Sequence, residues 1–274
     1  MIRIGCLLIA FLALFPSTVA AQDDEPCRSA LLEYSAGNYE TALEMWDLCL
    51  ESETPYSAAY LLRGSTHLEL RDIDAALADF QSYVDASPEN YAAYYEVADF
   101  LEDDNLYLYA IDFINIALDL NPECAECYYV RARSNFEAER FEDAIKDYTS
   151  TIELDPEYPD YVYYNRGSAN YNLQQYEKAI ADYSQHIEVF PDDAAGYRKR
   201  GDSYWLLNEK EKAIEDYYAF QERNGGKLTQ LMQDRIDEQN NPFNGIPPLV
   251  FLGGFVLAAA YLMWRARYED KKAQ

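Results

Sequence analysis

Residues 160–193 read DYVYYNRGSANYNLQQYEKAIADYSQHIEVFPDD, two amphipathic helical patterns joined by a short polar turn and closed by Pro191. Apolar and aromatic residues return every three to four positions in each half, the spacing that puts them on one side of a helix. The segment is not unique. Prolines fall at Pro88, Pro122, Pro156 and Pro191, at intervals of 34, 34 and 35 residues. A fixed period of this size marks a stacked repeat. Counting back from each proline gives Ala76, Ala110, Ala144 and Ala179, and Ala42 and Ala213 extend the series to six units.

Further landmarks keep step with those alanines. Four residues after each comes a large side chain: Trp46, Phe80, Ile114, Tyr148, Tyr183 and Tyr217. Twelve before each stands a small one, Ala30, Gly64, Ala98, Ala132, Gly167 or Gly201, as two closely approaching helices require. Four residues earlier still are Tyr60, Tyr94, Tyr128, Tyr163 and Tyr197, the first unit lacking this aromatic. The wording YxxRG at Tyr163–Gly167 and Tyr197–Gly201, and ExAIxDY ending at Tyr148, Tyr183 and Tyr217, resembles the tetratricopeptide repeat family. That resemblance implies an all-α, right-handed solenoid of about six helical hairpins, near residues 23–56, 57–90, 91–124, 125–159, 160–193 and 194–226. No single hairpin can bury its apolar stripe, so neighbours must stack. After Gly225-Gly226, residues 227–240 place Leu228, Leu231, Met232 and Ile236 on one helical face, which predicts a capping helix.

The two ends predict topology. Residues 1–21 carry an early Arg3, an apolar run, Pro16 and small residues before Ala20-Ala21, the order of a secretory signal peptide, an uncleaved anchor being the alternative. After a short linker at 241–245, residues 246–264 are uncharged over the length of a bilayer helix and are followed by Arg265, Arg267, Lys271 and Lys272. Positive residues stay on the cytoplasmic side, so the expectation is a transmembrane helix with the repeats outside and the 265–274 tail inside. The chain has no Asn-x-Ser/Thr sequon, which favours a bacterial plasma membrane.

Composition narrows the partners. With 22 Lys+Arg against 49 Asp+Glu the net charge is −27, which argues against nucleic acid and other polyanions. The exported part keeps four cysteines. Cys27 and Cys49 are equidistant from a turn at Asn38 and would face each other across a hairpin, as a disulfide or as two packed thiols. Cys124 and Cys127 open the fourth unit and read as a local disulfide, as packing thiols, or as an exchange-active dithiol at a helix N-terminus. His67 and His186 fall at packing positions, and neither a catalytic constellation nor a metal or cofactor motif can be assembled.

In the family resembled, residues one and five after the aromatic of the first helix point into a concave groove. Transferred by position, this nominates Tyr95, Tyr129, Tyr164 and Arg198, then Asp99, Arg133, Ser168 and Asp202, and one turn on Phe136, Tyr171 and Trp205; Leu61, Ser65, Leu68 and Glu102 occupy the same rows. So aromatic a lining suits a protein or peptide partner. The reading is a non-catalytic, membrane-anchored docking scaffold; the alternatives are thiol–disulfide exchange through Cys124 and Cys127, or a glycan-binding module that stacks sugars on tyrosines. Arg63, Arg131, Arg166 and Arg200, just before the small residue, match the family's scaffold wording.

Overall fold

The structure, a computed structural model, describes residues 25–51, 56–157, 161–240 and 264. Thirteen helices and no strands occur among the described residues: α1 (Glu25–Ser35), α2 (Tyr39–Leu50), α3 (Ser57–Glu69), α4 (Ile73–Asp85), α5 (Tyr91–Asp103), α6 (Tyr107–Leu120), α7 (Ala125–Glu137), α8 (Phe141–Leu154), α9 (Val162–Asn172), α10 (Tyr176–Val189), α11 (Ala194–Leu206), α12 (Lys210–Arg223) and α13 (Gln230–Asn240). The chain divides between Tyr158 and Pro159 into two compact units. The first holds four hairpins, α1/α2 to α7/α8. The second holds α9/α10, α11/α12 and the cap α13. The predicted signal peptide (1–21), linker (241–245) and tail (265–274) lie outside the described residues, as does the predicted span except Trp264. No helix among the described residues is long and apolar enough to cross a membrane.

All six register alanines are fully buried, and so is the large residue four positions on. In the three hairpins whose small residue is glycine, the large side chain lies directly against it. A Cβ built on Gly64 would lie 2.6 Å from the Phe80 ring, on Gly167 2.9 Å from Tyr183, and on Gly201 2.8 Å from Tyr217. Real Cβ contacts are not that short, so these glycines set how closely the two helices of a hairpin approach. Trp46 also reaches the next hairpin, donating its indole N–H to Thr66 Oγ1 at 3.1 Å. Close packing thus runs within hairpins and between them.

The turn inside every hairpin is built alike. Five residues before each alanine, Gly37, Arg71, Asn105, Glu139, Gln174 and Asn208 all take positive φ, from 58° to 79°. A single left-handed residue ends the first helix and lets the following N–H groups satisfy its last carbonyls, as Arg71 N–H does to Leu68 O at 2.9 Å and Asp72 N–H to His67 O at 2.9 Å. Only the first of the six is glycine.

A polar triad lies beside that core. Thirteen residues before the alanine is an arginine and three after it an aspartate, and the two form a bidentate pair: Arg63–Asp79, Arg131–Asp147, Arg166–Asp182 and Arg200–Asp216, with shortest N···O distances of 2.6 to 2.7 Å. The aspartates are buried. Asn135 and Asn170, nine before the alanine, donate to Asp147 and Asp182 at 3.2 and 2.9 Å. Each guanidinium also lies over the ring of the tyrosine three residues earlier, as Arg131 does 5.4 Å from the Tyr128 centroid. In three of the four a third arm ties to the preceding hairpin: Arg63 to Asp47 at 2.6 Å, Arg131 to Asn115 at 2.7 Å and Arg200 to Ser184 at 3.0 Å. The third hairpin replaces arginine, asparagine and aspartate with Val97, Leu101 and Phe113, all apolar. Burial raises the proton affinity of Asp216 more than Arg200 lowers it.

Cys27 and Cys49 form a disulfide across α1 and α2, and Cys124 and Cys127 a second one at the start of α7. In the cap, Met232 and Ile236 are buried and Leu228 packs beside them, but Leu231 is exposed. The cap helix begins at Gln230 rather than at 227, so its buried face is Met232 and Ile236, four residues apart, with Leu228 packing from the segment before it.

Candidate functional site

The nominated residues all lie on the first helices of the hairpins, and the structure sorts them. In the first unit Tyr129 is buried, its ring 6.0 Å from that of Tyr148. Arg133 crosses from α7 to α5, pairing with Glu102 at 3.0 Å and lying 5.8 Å from the Tyr129 centroid. Tyr95 and Asp99 are half-buried on α5. Phe136 packs edge-on against Phe141, the ring that opens the second helix of its own hairpin, at 5.4 Å. Tyr34 meets Tyr39 at 5.5 Å and Tyr171 meets Tyr176 at 5.5 Å in the same way. These pairs, eight and three residues before the register alanine, close the turn end of the hairpin, and all six residues are half-buried.

In the second unit Ser168 is buried, donating to Tyr164 O at 2.9 Å and accepting from the Tyr183 hydroxyl at 3.2 Å. Tyr164 is half-buried between Tyr183 and His186, with ring centroids 5.6 and 5.2 Å away. Burial raises the affinity of its hydroxyl for the proton, while Arg198, which donates to it, opposes that rise. Lys199 stands 5.3 Å from the centroid of Tyr171, and burial, then Arg198, favours its neutral form. Asp202 and Trp205 are already engaged. Arg235 of the cap bonds to Asp202 and to the Tyr217 hydroxyl, and lies over the Trp205 ring at 5.3 Å. Lys210 lies over the same indole at 4.9 Å. What α11 would offer a ligand there, α13 already fills.

Sequence reasoning did not single out Arg235, Lys199, or the rings Tyr39, Phe141 and Tyr176. The last three do carry a signal, since each falls three residues before a register alanine.

The cysteine and histidine candidates are buried, except for the half-buried His67. Cys124 is 5% exposed and Cys127 fully buried. The Cys124 sulfur also accepts the Cys127 N–H at 3.1 Å as the cap of α7. An attacking thiolate therefore meets two residues with little or no exposed surface. His186 is buried among Tyr161, Tyr164 and Phe190 and bonded to Asp193 at 2.8 Å; His67 lies 3.8 Å from Asp79. Among the described residues no group of three or more His, Cys, Asp or Glu is placed to hold a metal ion.

Comparison with known proteins agrees with this geometry. Models of the tetratricopeptide repeat match residues 27–91, 61–120 and 110–159, and again 161–193. No curated protein sequence matches the chain. Among solved structures, the C-terminal part of a repeat-containing protein from Cytophaga hutchinsonii is similar at a TM-score of 0.60 and 21% identity, covering 79% of this chain and 86% of that one. MamA is similar at 0.56 and 23%, covering 62% and 92%. YrrB, described as a protein of this family with an unusual peptide-binding site, is similar at 0.55 and 17%, covering 71% and 98%. These likenesses carry the fold. The matched segments span more than half of the sequence, and the chain belongs to the tetratricopeptide repeat family.

Proposed function

We propose that the protein is a non-catalytic docking scaffold, anchored in a membrane by residues 246–264, that holds a protein or peptide against its first-helix faces outside the cytoplasm. One observation carries the docking role: α9 and α11 present Tyr164, Tyr171, Arg198 and Lys199 together, half-exposed and held by a rigid core behind them. Rings with few rotatable bonds give contact area at little entropic cost, and neighbouring cations add directional polar contacts. YrrB lends support through its described peptide-binding site. The anchoring rests on the apolar run at 246–264, the basic residues after it and the export-like N-terminus.

With the full chain as bait in mild detergent, a Tyr164→Ala/Tyr171→Ala variant is expected to capture its partner at least about tenfold less well, because two central rings are lost. Its circular dichroism should match that of the parent. Undiminished capture by a folded variant would remove the docking role. Orientation is tested separately. Protease added to intact cells is expected to digest residues 25–240 and spare a tag placed after Gln274; protection of the repeats would reverse the topology.

A further inference from the structure

Charge is distributed very unevenly along the chain. Residues 25–157 hold 30 Asp+Glu and 7 Lys+Arg, a net −23, whereas residues 161–240 hold 14 and 10, a net −4. A solubility role alone would not require the charge to collect on one unit.

Part of the excess crowds the turn ends of the first helices in the first unit. Glu69 ends α3, Asp103 and Asp104 end α5, and Glu137 ends α7. Tyr34, Tyr39 and Tyr107 stand among them. The Tyr34 hydroxyl bonds to Ser65 at 3.3 Å and lies in the field of both Glu69 and Asp104. Tyr107 lies in the field of Glu137 and Glu102. Burial raises the proton affinity of Asp104, Glu69 and Asp103 raise it further, and Arg71 only partly opposes them. Rings and carboxylates are therefore interspersed at this turn end, Tyr34 coming from α1 and Tyr39 and Tyr107 from the first residues of α2 and α6.

The chain itself shows what fits such a seat. Arg133 lies between the Glu102 carboxylate and the Tyr129 ring, and Arg235 between Asp202 and the rings of Trp205 and Tyr217. In both cases a guanidinium takes a carboxylate at its edge and an aromatic ring at its face, the pairing in which planar cations gain most.

We infer that the first-helix face of residues 25–157, from Tyr34 to Glu137, docks a lysine- and arginine-rich polypeptide segment. This rests on the docking role proposed above and names its partner chemistry for the first unit. A partner of this kind is drawn in by the field of the whole unit and seated by interspersed rings and carboxylates. A second copy of the same unit, at net −23, would be repelled.

The test uses the full chain in mild detergent and a fluorescein-labelled peptide of three Arg-Leu-Lys-Ser units, with a Glu-Leu-Asp-Ser counterpart as control. The cationic peptide is expected to bind, and to bind more weakly as salt rises. An inner variant, E69Q/D103N/D104N/E137Q, should weaken it at least tenfold. An outer variant, D74N/D112N/D119N/E142Q, removes equal charge from the second helices and should cost less than twofold. Equal losses in the two variants would reduce the binding to non-specific attraction and overturn the inference, as would absence of binding or equal binding of the acidic peptide. Self-association of the parent that the inner variant abolishes would overturn it in favour of a second copy. If the cationic peptide fails while the Tyr164/Tyr171 face still captures a partner, the docking role stands and this inference alone falls; if both fail, both fall.

Discussion

Replacing Arg131 by alanine is expected to lower the stability of residues 25–157 by about 3–5 kcal/mol, the cost of stranding a buried carboxylate. Asp147 takes two guanidinium bonds from Arg131, at 2.7 and 2.9 Å, and keeps only the Asn135 amide when the arginine is removed. The third hairpin supplies the control, because Val97, Leu101 and Phe113 fill the same three positions with apolar side chains. A triple variant, Arg131→Val/Asn135→Leu/Asp147→Phe, should regain most of the loss, since no charge remains to be buried. Urea unfolding of the single and triple variants checks both statements. A single variant within about 0.5 kcal/mol of the parent, the range of ordinary surface substitutions, would show that solvent reaches Asp147 and that the triad is dispensable.

Removing the Cys27–Cys49 disulfide has the next largest expected effect. The bond closes a loop with a sequence separation of 22, so a Cys27→Ser/Cys49→Ser variant should lose about 3 kcal/mol through greater freedom of the unfolded chain. The loss should concentrate in the first hairpin. That hairpin has Ser29 and Met45 where four others have the arginine–aspartate pair, so the disulfide is its main cross-link beyond packing on Trp46. Amide exchange in α1 and α2 should quicken well before that in α5 to α8. Uniform quickening across the first unit would mean instead that its hairpins open as one block.

Much of the fold was legible because its constraint is periodic. A small residue, an alanine and a large residue recur at fixed offsets, and the structure buries the alanine and its large neighbour in every hairpin. The arginines before the small residues read correctly as scaffold. Three of their partners are the aspartate of the ExAIxDY wording, but the pairing did not stand out, because carboxylates are so abundant here that nothing marks one as an arginine's partner. Asp79, Asp147, Asp182 and Asp216 line up with the arginines only when both are counted from the alanines.

The binding rows were harder to read. Position on a helix face decides which way Tyr129, Ser168 or Asp202 points, and neighbouring helices decide whether anything remains for a ligand. Tyr148, Tyr183 and Arg235 supply the contacts that engage these three, and Arg235 comes from a helix outside the repeat register. Leu231 shows the same limit on a smaller scale. It belongs to the apolar pattern of the cap, yet it faces solvent because the last hairpin is met by a single line of side chains.

The left-handed residue that ends every first helix has a further consequence. Arg71, Asn105, Glu139, Gln174 and Asn208 hold a backbone shape that costs a side-chain-bearing residue about 1 kcal/mol relative to glycine, asparagine somewhat less. All five lie in turns, away from the glycine–ring contacts and the arginine triads. The thermal ceiling of this protein is therefore adjustable turn by turn, at Gln174 and Asn208 without redrawing the acidic turn-end face that Arg71, Asn105 and Glu139 adjoin.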